Sequence, residues 1–210
     1  MLPAEIPIFP LPNVVLFPSA LLPLHIFEPR YRAMVADALE GERLIGMVML
    51  RPGWEPHYES EPQVYPVGCA GFITHADRLP DGRYNIMLRG LEKFRIVNER
   101  GAREGDQRYR CARVEAIEET ARTRDLHGMQ MARARLERLI AKCLQRSTDD
   151  PVPKDIPDED LVHAIAQHLD PLEKQALLEC DGFLARCIAL VELLEMRLIA
   201  SHPLGKTRMH

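Results

Sequence analysis

The sequence predicts an α+β protein in which a β-rich N-terminal part is followed by a bundle of helices. Short apolar runs bounded by proline or glycine occupy residues 5–117, as expected for strands joined by turns. From about residue 121 the apolar residues recur three and four positions apart, which is typical of amphipathic helices. A polar, proline-rich connector at 147–160 then separates the first long helix from the later ones.

The opening stretch, residues 6–31, is strongly apolar but is interrupted by proline every few residues. These prolines remove backbone donors that a membrane-spanning helix requires. A secretory signal begins with basic residues, whereas the first basic residue here is Arg30, at the end of the stretch. The stretch is therefore predicted to form short strands at 5–9, 14–17 and 22–27, and the protein is expected to be cytoplasmic.

A helix is predicted to begin at Pro29, a residue favoured at the first helical position, and to run to Gly41. Asp81-Gly82 predicts a two-residue hairpin turn, and Gly68 and Gly71 predict a bulge or a close backbone approach. Further strands are predicted at 44–50, 64–75, 83–89, 93–98 and 109–117. Further helices are predicted at 121–146, 161–169, 171–180 and 182–200.

These elements predict three segments: a β-rich domain at 1–118, a helical bundle at 119–202 and a flexible tail at 203–210. Five cysteines without close pairing, together with the absence of an export signal, favour free buried thiols in a reducing compartment. The formal net charge of −4 gives no global reason to expect binding to nucleic acid.

Motifs for catalysis, cofactors and metals are not found in the sequence. Gly205-Lys206-Thr207 lacks the first glycine of a phosphate-binding loop, because residue 200 is alanine. The four serines lie outside any nucleophile-elbow setting, and the histidines and cysteines lack the spacing of zinc ligands. Asp158-Glu159-Asp160 is explained as a helix start. The prediction is no catalytic residue, no cofactor and no metal site.

Two features suggest a binding surface, and each has a plainer alternative. Trp54 lies in a long loop, 51–62, where it serves either as a local packing anchor or as an apolar contact for a protein. A basic stripe follows one face of the first long helix. It consists of Arg135, Arg138, Lys142 and Arg146. This stripe is either a solvated face balanced by acids or a docking surface for an acidic partner or a phosphate backbone.

Several blocks of the sequence resemble the N-terminal, substrate-binding domain of the ATP-dependent Lon protease. They are FPLPNVVLFPSALLPLHIFEPRYRAMV, LPDGRYNIMLRGLEKFRI, YRCARVEAIEE and LVHAIAQHLDPLEKQALLECDGFLARCIALVELLE. The resemblance covers about residues 5–197, and IFEPRY is more typical of short, free-standing Lon-domain proteins than of full proteases. It implies a pseudo-barrel related to PUA domains followed by a helical bundle, without the ATPase and peptidase modules of the full protease.

The resemblance implies a non-catalytic module that binds unfolded or client proteins in protein quality control, with a Lon-type protease as one conceivable partner. A groove between the β-rich domain and the bundle is the expected surface. Its candidate contacts are Trp54, Tyr58, Phe17, Leu21 and Met49. The alternative is an RNA-binding protein that uses the PUA-like fold and the basic stripe. The sequence identifies neither the client nor the oligomeric state.

Overall fold

The computed structural model describes residues 2–58, 60–100, 109–118, 126–143 and 156–201. The strands are β1 (Glu5–Leu11), β2 (Leu21–Ile26), β3 (Leu44–Met49), β4 (Val67–Arg78), β5 (Tyr84–Arg100) and β6 (Cys111–Ile117). The helices are α1 (Pro29–Glu40), α2 (Leu126–Cys143), α3 (Asp158–Ala166), α4 (Pro171–Glu179) and α5 (Phe183–Ser201). The predicted α+β class, with an N-terminal sheet and C-terminal helices, is confirmed.

The six strands form one sheet in the order β2-β5-β4-β3-β1-β6, and β6 also pairs with β5. Five of the strands therefore close into a barrel-like ring, and β2 extends the sheet outside that ring. Strand β5 makes this possible through its length, because its first half pairs with β2 and its second half with β6. Only the β1–β3 pairing is parallel among the strand pairs described.

The interior of the ring is filled by small and β-branched side chains around one phenylalanine, Phe94. The buried members are Ile6, Ile8, Val48, Leu50, Val64, Ala70, Phe94, Ala112 and Val114. Glycine at 46 makes room for this filling, since a Cβ there would lie 2.9 Å from the Phe94 ring. The close packing explains why the strands of the ring read as apolar runs rather than as strict alternation.

Helix α1 covers part of the outer surface of the sheet. Tyr31, Met34, Val35 and Ala38 form its buried face, and the Tyr31 ring packs on Phe9 of β1 at a centroid distance of 4.2 Å. The helix begins at Pro29, as predicted, and ends before Gly41. The segment IFEPRY thus joins the outermost strand, β2, to the helix that packs on β1.

Two sequence predictions about strands are wrong. Val14 to Phe17 does not form a strand; it is an irregular segment whose last three side chains are buried. Residues 83–89 and 93–98 are not separate strands but parts of β5, because Gly90 continues the strand instead of ending it. A Cβ at Gly90 would lie 2.0 Å from the Phe17 carbonyl oxygen, so this position requires glycine for the close approach of the 14–17 segment.

The bulge predicted in this region is confirmed, and a hairpin turn forms where it was predicted, but it is a three-residue loop, Pro80 to Gly82, and not a two-residue turn. Leu79 closes it by accepting from Gly82 at 2.9 Å and donating to the Arg83 carbonyl at 2.8 Å. Gly82 has a φ of 81° in the hairpin between β4 and β5, a conformation that glycine adopts without strain.

The pairing of β4 with β5 shifts register between Cys69 and Gly71. A second shift follows between Ile73 and His75, so that the long hairpin curves as it enters the ring.

The chain divides into two compact units, and the division does not follow the sequence throughout. The first unit comprises Met1–Glu118 and Leu169–Glu179, so helix α4 belongs with the sheet. Gln175 of α4 is buried and donates hydrogen bonds to the Val67 carbonyl at 3.0 Å and to Glu179 Oε1 at 2.8 Å. The predicted domain limits at 118 and 202 stay a prediction.

The second unit comprises Glu119–His168 and Cys180–His210, and its described helices are α2, α3 and α5. Both α2 and α3 pack on α5. Their buried apolar residues include Ala132, Leu136 and Leu139 on α2, Leu161, Val162 and Ala166 on α3, and Cys187, Leu190 and Val191 on α5. The acidic run 158–160 lies in the first turn of α3, which confirms its predicted role as a helix start.

Candidate functional site

The exposed face of the sheet beside the edge strand β2 carries a row of apolar residues. Leu21 of β2 is the cross-strand partner of Arg89 on β5, and Arg89 is in turn the partner of Phe72 on β4. Phe72 is the partner of Leu44 on β3. Because directly opposed residues place their side chains on the same face, these four side chains form one row across four strands.

A second row lies beside the first. Pro23 of β2 is opposite Met87 of β5, and alternation along each strand puts both on the face that carries Leu21. We define the β2 face as Leu21, Pro23, Phe27, Leu44, Phe72, Met87 and Arg89. Leu21 is 60% exposed and Phe27 is 61% exposed, while Leu44, Phe72 and Met87 are half-buried.

The third row is polar and separates Phe27 from the other apolar residues. His25 Nδ1 and Asn85 Oδ1 lie 2.7 Å apart, so the ring nitrogen donates to the amide oxygen. Phe27 stacks on the His25 ring at a centroid distance of 6.3 Å. On the neighbouring strand, His75 Nε2 lies 2.9 Å from Asp77 Oδ2. The β2 face therefore offers apolar contacts at both ends of a polar middle.

Strand β2 also presents a free backbone edge, because β5 is its only partner among the described strands. Gly90 donates to the Ala20 carbonyl at 2.9 Å, so the backbone groups of Ala20 point toward β5. Because successive residues of a strand point their backbone groups to alternate sides, those of Leu21, Pro23 and His25 point away from β5. Pro23 has no N–H to offer at the centre of this edge. Natural sheets use proline in this way to limit pairing with other chains.

Trp54 and Tyr58, predicted from the sequence as contacts, lie in a different place. Both are partly buried against the interior of the ring, with their rings edge to face at a centroid distance of 5.5 Å. The Tyr58 hydroxyl donates to Glu28 Oε1 at 2.7 Å, and the Arg30 guanidinium lies 4.9 Å from the Tyr58 ring centroid. These contacts attach the loop to the start of helix α1. We call Glu28, Arg30, Trp54 and Tyr58 the loop cluster.

The electrostatics of the loop cluster favour the neutral phenol of Tyr58. Partial burial raises the pKa of Tyr58, and its hydrogen bond to Glu28 raises it further. Glu28 also accepts from Arg30, at 3.0 Å from Nε and 2.9 Å from the terminal nitrogen. The Glu28 side chain is therefore engaged by two residues, which explains why it does not cap the helix that it precedes.

Of the other predicted contacts, Leu21 is exposed, whereas Phe17 and Met49 are not. Phe17 is 0% exposed and Met49 is 2% exposed. Neither side chain presents surface to a partner in this conformation, because both have their apolar surface inside the unit. The structure thus brings Trp54 and Tyr58 together, places Leu21 on the β2 face and leaves Phe17 and Met49 in the core.

The basic stripe is balanced by acids on a neighbouring helix. Arg135 forms a two-point ion pair with Glu195 of α5, with distances of 2.7 and 2.5 Å. That hydrogen-bonded pair lowers the pKa of Glu195, and the charges of Lys142 and Arg138 lower it further. Arg138 also donates to the Ala134 carbonyl at 3.1 Å, while Arg146 lies outside the described residues. RNA binding through this stripe stays a prediction.

Residues 5–196 match the family model of the ATP-dependent protease La (LON) substrate-binding domain. The chain belongs to the Lon substrate-binding domain family.

Relatives and solved structures agree with this assignment. The Lon protease of Anaeromyxobacter dehalogenans is 28% identical over 204 residues, which are 93% of this chain and 24% of that protein. The Lon N-terminal domain protein from Xanthomonas campestris has a TM-score of 0.55 at 22% identity, with 95% of this chain and 99% of that chain covered. The N-terminal domain of Mycobacterium avium complex Lon protease has a TM-score of 0.64 at 17% identity, with 91% and 98% covered. At these identities the two structures show the fold alone.

This Lon domain spans between 16% and 24% of the length of the first curated relatives that it matches. None of the helices within the described ranges is long and apolar enough to cross a membrane. Cys69, Cys111 and Cys187 are buried, and Cys180 is half-buried. Burial raises the pKa of the Cys187 thiol to about 12, so this cysteine is protonated near neutrality.

Sequence reasoning missed most of the β2 face. Phe27, Phe72 and Arg89 were not among the predicted contacts. A signal for Phe27 does exist, because it continues the every-second-residue pattern of Leu21, Pro23 and His25. Phe72 and Arg89 could not have been found in this way, since their position depends on the register of three strands.

Proposed function

We infer that this Lon domain binds exposed apolar segments of partly unfolded proteins through the β2 face, and that it does so without hydrolysing them. The observation that supports this function best is the exposure of Leu21 and Phe27, at 60% and 61%, on one side of an edge strand. Exposed apolar side chains grouped on one face of a domain are typical of interaction sites. The family description, a substrate-binding domain, supports the same function.

The composition of the β2 face suits a reversible and weakly selective interaction. Burial of Leu21 and Phe27 against a client would contribute roughly 1 to 2 kcal/mol each, from their apolar area. Ordering an unfolded segment and losing its free motion would offset much of that gain. The expected affinity is therefore modest, and segments that contact several rows of the face at once would bind best.

Arg89 and Pro23 limit which segments the β2 face can bind. Arg89 lies between Leu21 and Phe72 and offers its charge to acidic residues within an apolar segment. Pro23 withholds a backbone donor at the centre of the edge, so the client contacts mainly side chains rather than extending the sheet. This arrangement favours capture of many unrelated sequences and disfavours growth of a shared sheet.

In protein quality control, such a module would recognise clients and present them to a partner that degrades or refolds them. A Lon-type protease is the partner that we propose, because the relatives that share this domain are named Lon protease.

The function is tested by binding to a permanently unfolded protein, reduced and alkylated so that it cannot refold. Fluorescence anisotropy of the labelled client gives the dissociation constant for the wild-type chain and for Leu21→Ser/Phe27→Ser. We expect the double substitution to weaken binding about tenfold or more, given roughly 1 kcal/mol or more per side chain.

The matched control is Val97→Ser, which removes an exposed apolar residue, 49% exposed, from the other half of β5. It should bind the client like the wild type. Equal losses for the control and for the double variant, or no loss for either, would show that the β2 face is not the client surface.

A further inference from the structure

Two arginine side chains at the β2 face have no acidic partner among the described residues. Arg89 is exposed and lies in the row between Leu21 and Phe72. Arg43 precedes Leu44, and its guanidinium carbon lies 5.8 Å from the centroid of the Phe72 ring. Within the described ranges, neither guanidinium forms an ion pair or a hydrogen bond. Two uncompensated cations therefore approach Phe72, one from β5 and one from the start of β3.

The charge of Arg43 is partly withdrawn from water. Its Nε is buried and has no hydrogen-bond partner, whereas its terminal nitrogens are not buried. Buried donors are normally paired, so this guanidinium lacks an acceptor that a ligand could supply at the terminal nitrogens. Opposite charges attract more strongly where water is partly excluded, so Arg43 gains more from a nearby carboxylate than a fully exposed arginine would.

The backbone at Arg43 is strained. Its φ is 61°, in the left-handed region that a residue with a long side chain rarely adopts. Arg43 lies between α1 and β3, where its N–H donates to the Ala38 carbonyl at 2.9 Å. Glycine or asparagine would adopt this conformation with less strain, so the fold holds an arginine beside Phe72 against the local backbone preference.

Acidic residues of the same strands do not neutralise the two cations. Strands β2, β3 and β4 and residues 84–91 of β5 contain a single acidic residue, Asp77. Asp77 already lies 2.9 Å from His75 Nε2. Glu42 precedes Arg43 in the chain, but it forms no ion pair with it. The surface around Phe72 is therefore apolar and positively charged, which complements an apolar segment that carries an acid.

The spacing of the first row sets the spacing of such a segment. Neighbouring strands lie about 4.8 Å apart, so Leu21 and Leu44, separated by three such steps, are about 14 Å apart. An extended client advances about 3.4 Å per residue, so about four residues cover the same distance. Every second side chain points to the same side. When apolar side chains lie over Leu21 and Leu44, the side chain midway between them lies between Arg89 and Phe72.

We propose that the β2 face selects client segments with the pattern apolar-x-acidic-x-apolar, whose central carboxylate is bound by Arg43 and Arg89. The two outer side chains contact Leu21 and Leu44. This inference rests on the proposed function, since it specifies which segments the β2 face prefers. The planar guanidinium matches the two oxygens of a carboxylate, whereas a central lysine would be repelled.

The experiment titrates the full, isotope-labelled chain with short peptides and follows its amide NMR signals, which detect weak binding. Both ends of each peptide are capped, so the side-chain carboxylate is its only acid. The first peptide contains Leu-Ser-Glu-Ser-Leu, and two others have glutamine or lysine in place of the glutamate. The fourth contains Leu-Glu-Ser-Ser-Leu, which has the same composition but directs the acid to the opposite side of the extended chain.

We expect the first peptide to bind about three- to tenfold more tightly than the glutamine peptide, as for two partly exposed ion pairs. The shifted peptide should bind like the glutamine peptide, and the lysine peptide should bind most weakly. The variant Arg43→Gln/Arg89→Gln should bind the glutamate and glutamine peptides equally. Arg95→Gln, which removes an exposed arginine from the other half of β5, is the matched control and should keep the preference for glutamate.

Four results would overturn the acidic pattern. They are equal affinity for the glutamate and glutamine peptides, equal affinity for the glutamate and shifted peptides, a preference that survives in Arg43→Gln/Arg89→Gln, and a preference that is lost in Arg95→Gln. The glutamine peptide tests the proposed function separately. If it binds and Leu21→Ser/Phe27→Ser weakens that binding, the β2 face captures apolar segments even where the acidic pattern fails. No shift with any peptide would overturn both proposals.

Discussion

Two regions of the sheet unit carry apolar side chains near the surface, and they differ in how those side chains are held. In the loop cluster, Trp54 and Tyr58 pack on the ring interior, and Tyr58 is further fixed by Glu28 and Arg30. On the β2 face, Leu21 and Phe27 are about three-fifths exposed, at 60% and 61%. The aromatic side chains of the first region are packed within the folded unit, whereas Leu21 and Phe27 of the second region remain exposed.

The difference shows that residue type is a poor guide to a binding surface. Tryptophan and tyrosine are the side chains most often found at interaction hot spots, but here they connect a long loop to the start of helix α1. Leucine and phenylalanine on an edge strand attract less attention, although their exposure makes them the better candidates. Stability and binding measurements on matched variants can separate the two roles.

The largest effect on stability is expected for Trp54→Ala. Removing a partly buried indole takes away its packing on the ring interior and its contact with Tyr58, at a cost of about 2 to 3 kcal/mol in the free energy of unfolding. Urea denaturation followed by far-UV circular dichroism measures this loss. Leu21→Ser serves as the comparison, and we expect it to change stability by less than about 0.5 kcal/mol. Similar losses in both variants would erase the distinction between the regions.

A smaller effect is expected for Tyr58→Phe, which removes only the hydroxyl. The variant loses the 2.7 Å hydrogen bond to Glu28, and we expect a cost of about 1 kcal/mol in the same denaturation experiment. Client binding should be unchanged. If Tyr58→Phe binds the client more weakly but is as stable as the wild type, the loop cluster contacts the client and does not act only in folding.

One substitution, Pro23→Thr, should make the free edge of β2 able to pair with a strand of another molecule. It supplies a backbone N–H at the centre of the free edge and a residue that favours strands, so we expect concentration-dependent self-association. Sedimentation velocity over a hundredfold range of concentration measures this. Pro80→Thr, which adds a donor in the exposed hairpin turn, is the control. If Pro23→Thr sediments like the control, proline is not what keeps this edge unpaired.

The smallest effect concerns the hairpin turn next to the β2 face. Hydrogen bonds from Arg83 lower the pKa of Asp81 to about 2, so the folded state favours the charged carboxylate. A lowered pKa stabilises the folded state above the unfolded pKa of about 4, and that contribution is lost as the pH falls towards 2. Asp81→Asn should therefore flatten the acid side of the stability curve slightly between pH 4 and 2. An unaltered curve would show that this exposed pair has no measurable effect.

The sequence predicted most of the fold because local rules decide most of its elements. Proline is favoured at the first position of a helix, as at Pro29, and Gly82 adopts the positive φ of the hairpin turn by its own backbone preference. The errors came from long-range packing. Gly90 reads locally as the end of a strand, but it is glycine because the Phe17 carbonyl approaches it, and no local pattern contains that contact.

The candidate site was less accessible to prediction for the same reason. Leu21 was predicted as a contact and is exposed, but its neighbours Phe72 and Arg89 come from strands more than fifty residues away along the chain, and their register cannot be read from one sequence. Phe17 and Met49 are as apolar as Leu21, so hydrophobicity alone could not separate core residues from surface residues. Exposure, which distinguishes them, is a property of the folded unit.

The most direct test of the central claim is photocrosslinking from single positions of the full chain to an unfolded client. A photoreactive amino acid is placed in turn at positions 21, 27, 54 and 97, and the yield of client adduct is measured at equal concentrations. If the client binds the β2 face, crosslinking is strong from positions 21 and 27 and stays at background from positions 54 and 97. Adduct yields that are highest at 54, or equal at all four positions, would contradict it.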